Sequence, residues 1–133
     1  MIKWQDSYKV GIDMVDEQHK VLFDIVIQTE HILNQYAYDK YDSIIELLQK
    51  LKEYTIFHFE QEEEIMIKAN YNKFFEHKVL HTDFIEKLEE LVGGVDIQTD
   101  DEVIKNILIF LIEWLTEHIL KVDKNMAKKI SDI

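Results

Sequence analysis

Apolar positions along this chain recur at intervals of three and four, the spacing of helices that each bury one face. Val15, Leu22, Val26 and Leu33, with His19 among them, predict a first helix from about Asp16 to Tyr36, followed by a short turn at Ala37–Lys40. Ile44, Leu47, Leu48 and Leu51, continued by Thr55, His58, Glu62 and Ile65, mark a second helix from about Tyr41 to Ala69, which Asn70–Asn72 break. Phe74, His77, His81, Phe84, Leu88 and Leu91 form the seam of a third helix over about Lys73–Leu91. Gly93-Gly94 and the polar stretch through Asp101 end it, and Ile104, Ile107, Leu108, Leu111, Leu115 and His118 face inward on a fourth. Residues 1–12 read as an irregular arm, and the basic tail from Lys121 to Ile133 as a short, partly frayed helix. Four amphipathic helices joined by short connections predict an all-α fold, an up-down-up-down antiparallel four-helix bundle, in one domain across residues 1–133.

Composition narrows the chemistry. The 133 residues, 47% of them hydrophobic, suffice for a real core. The absence of proline and the three glycines favour a few long helices over a turn-rich β fold. A formal net charge of -12 argues against a nucleic-acid partner, because phosphate recognition wants clustered Lys and Arg. Met1–Ser7 has no apolar signal core, and the longest purely apolar run, Ile107–Ile112, is far short of a membrane span, so neither secretion nor a membrane partner is expected and the cytoplasm is the expected location. With no cysteine, disulfides, thiolate zinc sites and ordinary iron–sulfur clusters are excluded. His, Asp and Glu are left as the strong metal ligands, a set suited to iron, manganese or zinc.

Five of the six histidines fall on the apolar stripes: His19, His58, His77, His81 and His118. His31 sits about 120° around the helix from His19 and is expected outside the core. His58/Glu62 and His77/His81 are i, i+4 pairs, which project neighbouring side chains from one helix face. His118 and Asp123 are five apart, about 140° around an ideal helix, so both reach one site only if the helix bulges or ends near Ile119–Val122. A lone histidine on such a stripe is more often a hydrogen-bonded core residue, Glu62 alone a solvated member of the acidic run Glu60–Glu64, and Asp123 alone a surface or capping residue. Together they place a ligand-bearing segment on every helix. An ionised carboxylate on an apolar stripe costs several kcal/mol unless compensated, and a metal centre would neutralise it while occupying the histidine lone pairs.

The ordered set H…HxxxE…HxxxH…HxxxxD, met by His19, His58/Glu62, His77/His81 and His118/Asp123, resembles the hemerythrin family, specifically its single-domain bacterial members. Gly11-Ile12-Asp13, Asp16-Glu17-Gln18-His19, Phe59, Glu63, Met66, Tyr71 and Trp114-Leu115 extend the similarity over about Trp4–Asp123. The resemblance implies two iron ions, cycling between Fe2+ and Fe3+, with an oxo or hydroxo bridge. His77, His81 and His118 would bind one iron, His19 and His58 the other, and Glu62 and Asp123 both. It implies reversible dioxygen binding, for storage or carriage and not catalysis, at the one coordination position left vacant on the two-histidine iron. A dry, apolar oxygen pocket follows, with Leu115 as its leading wall candidate, then Phe59 and Ile119, and with Trp4 folding the arm over the same end. A monomer whose partner is dioxygen itself is expected.

Three other readings remain open to the sequence. A ferritin-like di-iron enzyme would use Glu-x-x-His motifs, and none is present in that arrangement. An enzyme acting on peroxide or nitric oxide, or an oxygen or redox sensor or delivery module, would share the histidine set, although no output domain is apparent. A metal-free or dizinc bundle would lack visible charge-transfer bands.

Overall fold

The computed structural model describes residues 3–36, 39–96 and 98–131. Ala37 and Tyr38 of the expected turn, Met1 and Ile2 of the arm, Ile97 of the last loop and Asp132–Ile133 of the tail lie outside the described residues. Four long helices are present: α1, Asp13–Leu33; α2, Lys40–Lys68; α3, Phe74–Gly93; and α4, Asp101–Glu117. A π-helical segment, His118–Asp123, joins α4 to a short α5, Lys124–Ser131. No strand occurs among the described residues. The bundle is antiparallel: the histidines that meet at one end come from the start of α1, the end of α2, the start of α3 and the end of α4. At the opposite end the Lys40 ammonium, at the start of α2, reaches both the Leu33 carbonyl that closes α1 and the Asp101 carboxylate that opens α4.

α1 starts and stops three residues earlier than its apolar pattern predicts. Asp16 lies inside the first turn, where its backbone N–H bonds the Ile12 carbonyl at 2.9 Å. Its carboxylate reaches back to accept the N–H groups of Val10 and Gly11 at 2.7 and 3.2 Å. An acid here both complements the helix dipole and ties the arm down. Gly11, at φ +100°, makes the bend that lets the arm return, a conformation few side chains tolerate. Within the arm Asp6–Tyr8 form a single 3-10 turn, and Trp4 and Tyr8 pack on Phe23 of α1.

α2 ends in a Schellman arrangement. Asn70 adopts φ 52°, its N–H bonds the Ile67 carbonyl at 3.1 Å, and the Tyr71 N–H bonds the Met66 carbonyl at 3.0 Å. The hydrophobic contact that accompanies such caps is here Met66 with Tyr71. Those two residues and Met126 of α5 form a small apolar plug. The main core, which includes Leu22, Val26, Leu48, Phe84, Leu111 and Leu115, fills the rest of the bundle. Between plug and core lies a layer that is polar and fully buried.

Candidate metal centre

That layer contains all seven expected ligands. His19, His58, Glu62, His77, His81, His118 and Asp123 are each buried, with Glu62 at 0% and Asp123 at 1% exposure, whereas His31 is exposed on the bundle surface. α1 supplies His19, α2 supplies His58 and Glu62 one turn apart, and α3 supplies His77 and His81 one turn apart. The last two come from the π segment, whose limits are His118 and Asp123 themselves. In a π turn the i→i+5 hydrogen bond sets residue 123 above residue 118, which an α-helix would rotate apart. The His118 Nε2 and an Asp123 oxygen end up 3.1 Å apart. The irregularity expected near Ile119–Val122 is this segment.

The two carboxylates sort the histidines into two groups. Glu62 turns Oε1 to the Nε2 atoms of His77 (2.9 Å) and His81 (3.2 Å). It turns Oε2 to those of His58 (3.3 Å) and, further off, His19 (3.9 Å). Asp123 repeats the division, with Oδ1 toward His77 and His118 and Oδ2 toward His19, each at 3.1 Å. Two clusters result, Glu62–His77–His81–His118–Asp123 and His19–His58–Glu62–Asp123, joined through the carboxylates.

The donor set fits metal ions and little else. Both oxygens of Glu62, both of Asp123 and the Nε2 atoms of His58, His77, His81 and His118 are buried without a hydrogen-bond partner. His58 and His81 have their Nδ1 atoms engaged by carbonyl or carboxylate oxygens, which makes Nδ1 the protonated nitrogen and leaves a bare Nε2 lone pair facing carboxylate oxygen. Lone pair against anion is repulsive unless a cation lies between them. Cis ligands about 2.1 Å from an octahedral ion stand about 3.0 Å apart, close to most of the nitrogen–oxygen distances above. Without a metal the charges are balanced by protons instead. Burial alone would push the His77 pKa down, but the Asp123 and Glu62 carboxylates overcome it and raise the pKa to about 9. Burial likewise opposes a charge on His19 and His81, but Asp123 and Glu62 raise His19, and Glu62 and Glu63 raise His81. At His58 burial prevails and the pKa falls. Burial and mutual repulsion would raise the Glu62 pKa, and burial that of Asp123; contacts with the histidines hold both below the usual carboxylate range.

The four apolar candidates fall in different places. Leu115 is buried in the main core one turn before His118. Ile119 is buried in the π segment. Phe59 lies flat on the His81 ring, centroids 3.7 Å apart and planes 2° from parallel, hence against the three-histidine cluster. Trp4 packs edge-on to Phe23, one turn beyond His19 on α1. Three residues that the spacing of the pattern does not single out also touch the ligands: Gln18 at His58, Glu63 at His81, and Trp114, which stacks on His118 at 4.4 Å. Gln18 and Glu63 directly follow or precede a ligand in sequence, yet each serves a histidine of another helix, a pairing only the packed bundle defines.

The chain is similar to known proteins along most of its length. A family model described as "Hemerythrin HHE cation binding domain" matches residues 10–130. A bacteriohemerythrin of Clostridium acetobutylicum is 38% identical over 126 residues, 93% of this chain and 97% of that one. A myohemerythrin of Riftia pachyptila is 29% identical over 120 residues, 90% of this chain and 86% of that one. A crystal structure of wild-type hemerythrin superposes with a TM-score of 0.82 at 25% identity, over 98% of each chain.

Proposed function

This chain belongs to the hemerythrin family, whose proteins bind dioxygen at a di-iron site, and from that premise we propose how its own residues divide the work. His77, His81 and His118 would hold one iron, His19 and His58 the other, and Glu62 and Asp123 would serve both. The observation that carries this reading is the sorting of carboxylate oxygens: Oε1 and Oδ1 toward one histidine group, Oε2 and Oδ2 toward the other. The di-iron centre supplies reversible electron transfer to dioxygen. The remaining tasks belong to the protein.

The first task is charge. Two buried carboxylates would neutralise part of the charge of the metals and five neutral imidazoles add none, so positive charge would remain for the oxo or hydroxo bridge to offset. The second is asymmetry: with three histidines for one metal and two for the other, the two-histidine metal would have the position at which dioxygen could be taken up. The third is dryness. Leu115 and Ile119, both buried, keep bulk water and its protons from that position, and the Met66–Tyr71–Met126 plug seals the opposite side of the ligand layer. Among the described residues the buried carboxylates and histidines that meet in the layer are all assigned to the metals, and Glu63 is engaged by His81 and Lys78, which supports storage or carriage of dioxygen over catalytic turnover. Among the described residues no helix is long and apolar enough to cross a membrane.

The test is spectroscopic. Iron-loaded, anaerobically reduced protein is exposed to oxygen, returned to argon and exposed again. A visible band that appears, fades and returns establishes reversible binding. Immediate, permanent oxidation would favour redox chemistry or sensing instead.

A further inference from the structure

Among the described residues, two of the five candidate ligand histidines have the Nδ1 nitrogen held by a side chain, one in each group, and the two acceptors differ in charge. His58 donates from Nδ1 to the Gln18 amide oxygen at 2.7 Å, in a fully buried contact. His81 donates to Glu63 Oε2 at 2.9 Å, and the other oxygen of Glu63 faces the Lys78 ammonium at 3.5 Å. The Nδ1 atoms of His19 and His77 are buried with no such partner.

A carboxylate that accepts the Nδ1 proton pulls it further from the ring than an amide does. The imidazole gains anionic character, and its Nε2 becomes the stronger donor to a metal. Lys78 holds Glu63 ionised and oriented, and Phe59, stacked on the His81 ring, fixes that ring's plane. On the other side a neutral amide orients His58 equally well without adding charge. We propose that Glu63 and Gln18 are positioning residues that make the two metal positions unequal. Glu63 strengthens the three-histidine position so that it fills first and holds the more oxidised metal more tightly. Gln18 keeps the two-histidine position weaker and more electron-poor. The inference rests on the assignment of His77, His81 and His118 to one metal and of His19 and His58 to the other.

Substituting the charge while keeping the shape tests it. Metal-free wild type, Glu63→Gln and Gln18→Glu are titrated with ferrous ion under nitrogen by calorimetry, with far-ultraviolet circular dichroism as the check on folding. The reduction potentials of the loaded proteins are then measured. Wild type takes up two ions in two resolved steps. Glu63→Gln weakens the first step by about tenfold to a hundredfold, leaves the second unchanged and raises the potential of the tighter-held iron. Gln18→Glu strengthens the second step and narrows the gap. Two ions bound with both steps and both potentials unchanged in Glu63→Gln would overturn the inference. An equal loss in both steps would also overturn it, because that is what a merely structural role produces. Wild type holding fewer than two ions would overturn the assignment of the centre itself, and this inference with it.

Discussion

Glu62 and Asp123 are the residues on which the centre turns. Each is fully buried, and each has only histidines as charge partners within 4 Å among the described residues. Burying a carboxylate costs several kcal/mol even after relaxation, and metal ions shared by the two carboxylates would offset that cost in place of protons on the histidines. Glu62→Ala is therefore expected to lose at least one of the two irons, measured as iron per chain. Two irons retained would refute a shared role for Glu62. Leu115→Ala is expected to lower stability by about 2–4 kcal/mol and to hasten autoxidation while keeping both irons. Leu115→Met, which conserves volume, should leave the autoxidation rate near that of wild type. The seven candidate ligands were legible because five histidines and Glu62 lie on apolar stripes where a polar residue needs a reason, because two pairs share a helix face, and because Asp123 completes the order of the resemblance. Gln18 and Glu63 were not, since each meets a histidine of another helix and no periodicity records which helices adjoin.

At the scale of the elements, the number, order and antiparallel sense of the helices follow from the apolar seams and the breakers. The boundaries shift where side chains bond the backbone locally. α1 begins at Asp13 because Asp16 reaches back to Val10 and Gly11, an interaction hydrophobic spacing does not carry. The π segment was foreshadowed by the distance of five between His118 and Asp123, a separation that serves a common site only off the α-helical register. The end of α2 depends on Asn70 holding φ 52°, which a β-branched residue resists. Asn70→Val should cost about 1–2 kcal/mol in thermal or denaturant unfolding of the metal-free protein. Asn70→Gly should be neutral or mildly stabilising. Equal stability of all three would mean that the cap does not hold the turn into Tyr71.

Considered whole, the molecule is a charged shell around two apolar compartments separated by a polar layer, and metal held by the proposed ligands would link all four helices at once. Ligand-bound folding adds its binding free energy to stability, so chelating the iron should lower the melting temperature by about 3–5 °C for each kcal/mol lost. Metals must also displace protons. At neutral pH the metal-free protein carries a proton on His77, whose pKa the neighbouring carboxylates raise to about 9 against the effect of burial. Iron uptake at pH 7 should release protons, and the apparent affinity should climb as pH rises toward about 9 and then level off. Titrations in buffers of different ionisation enthalpy measure the protons directly. A pH-independent affinity between 7 and 9 would mean that His77 is already neutral.

The apolar plug of Met66, Tyr71 and Met126 sits on the far side of the polar layer from the main core. Met126 makes the eight-residue α5 part of that plug, so α5 borders the layer directly. When that layer carries unshared charge and protons instead of metal, α5 and the plug form the stretch with least to lose by opening. Cellular proteases cleave chains in proportion to the time their segments spend open. The lifetime of this protein would thus follow the supply of its metal, so that a cell short of iron clears the empty chains and keeps the loaded ones, with no regulator needed to tell them apart.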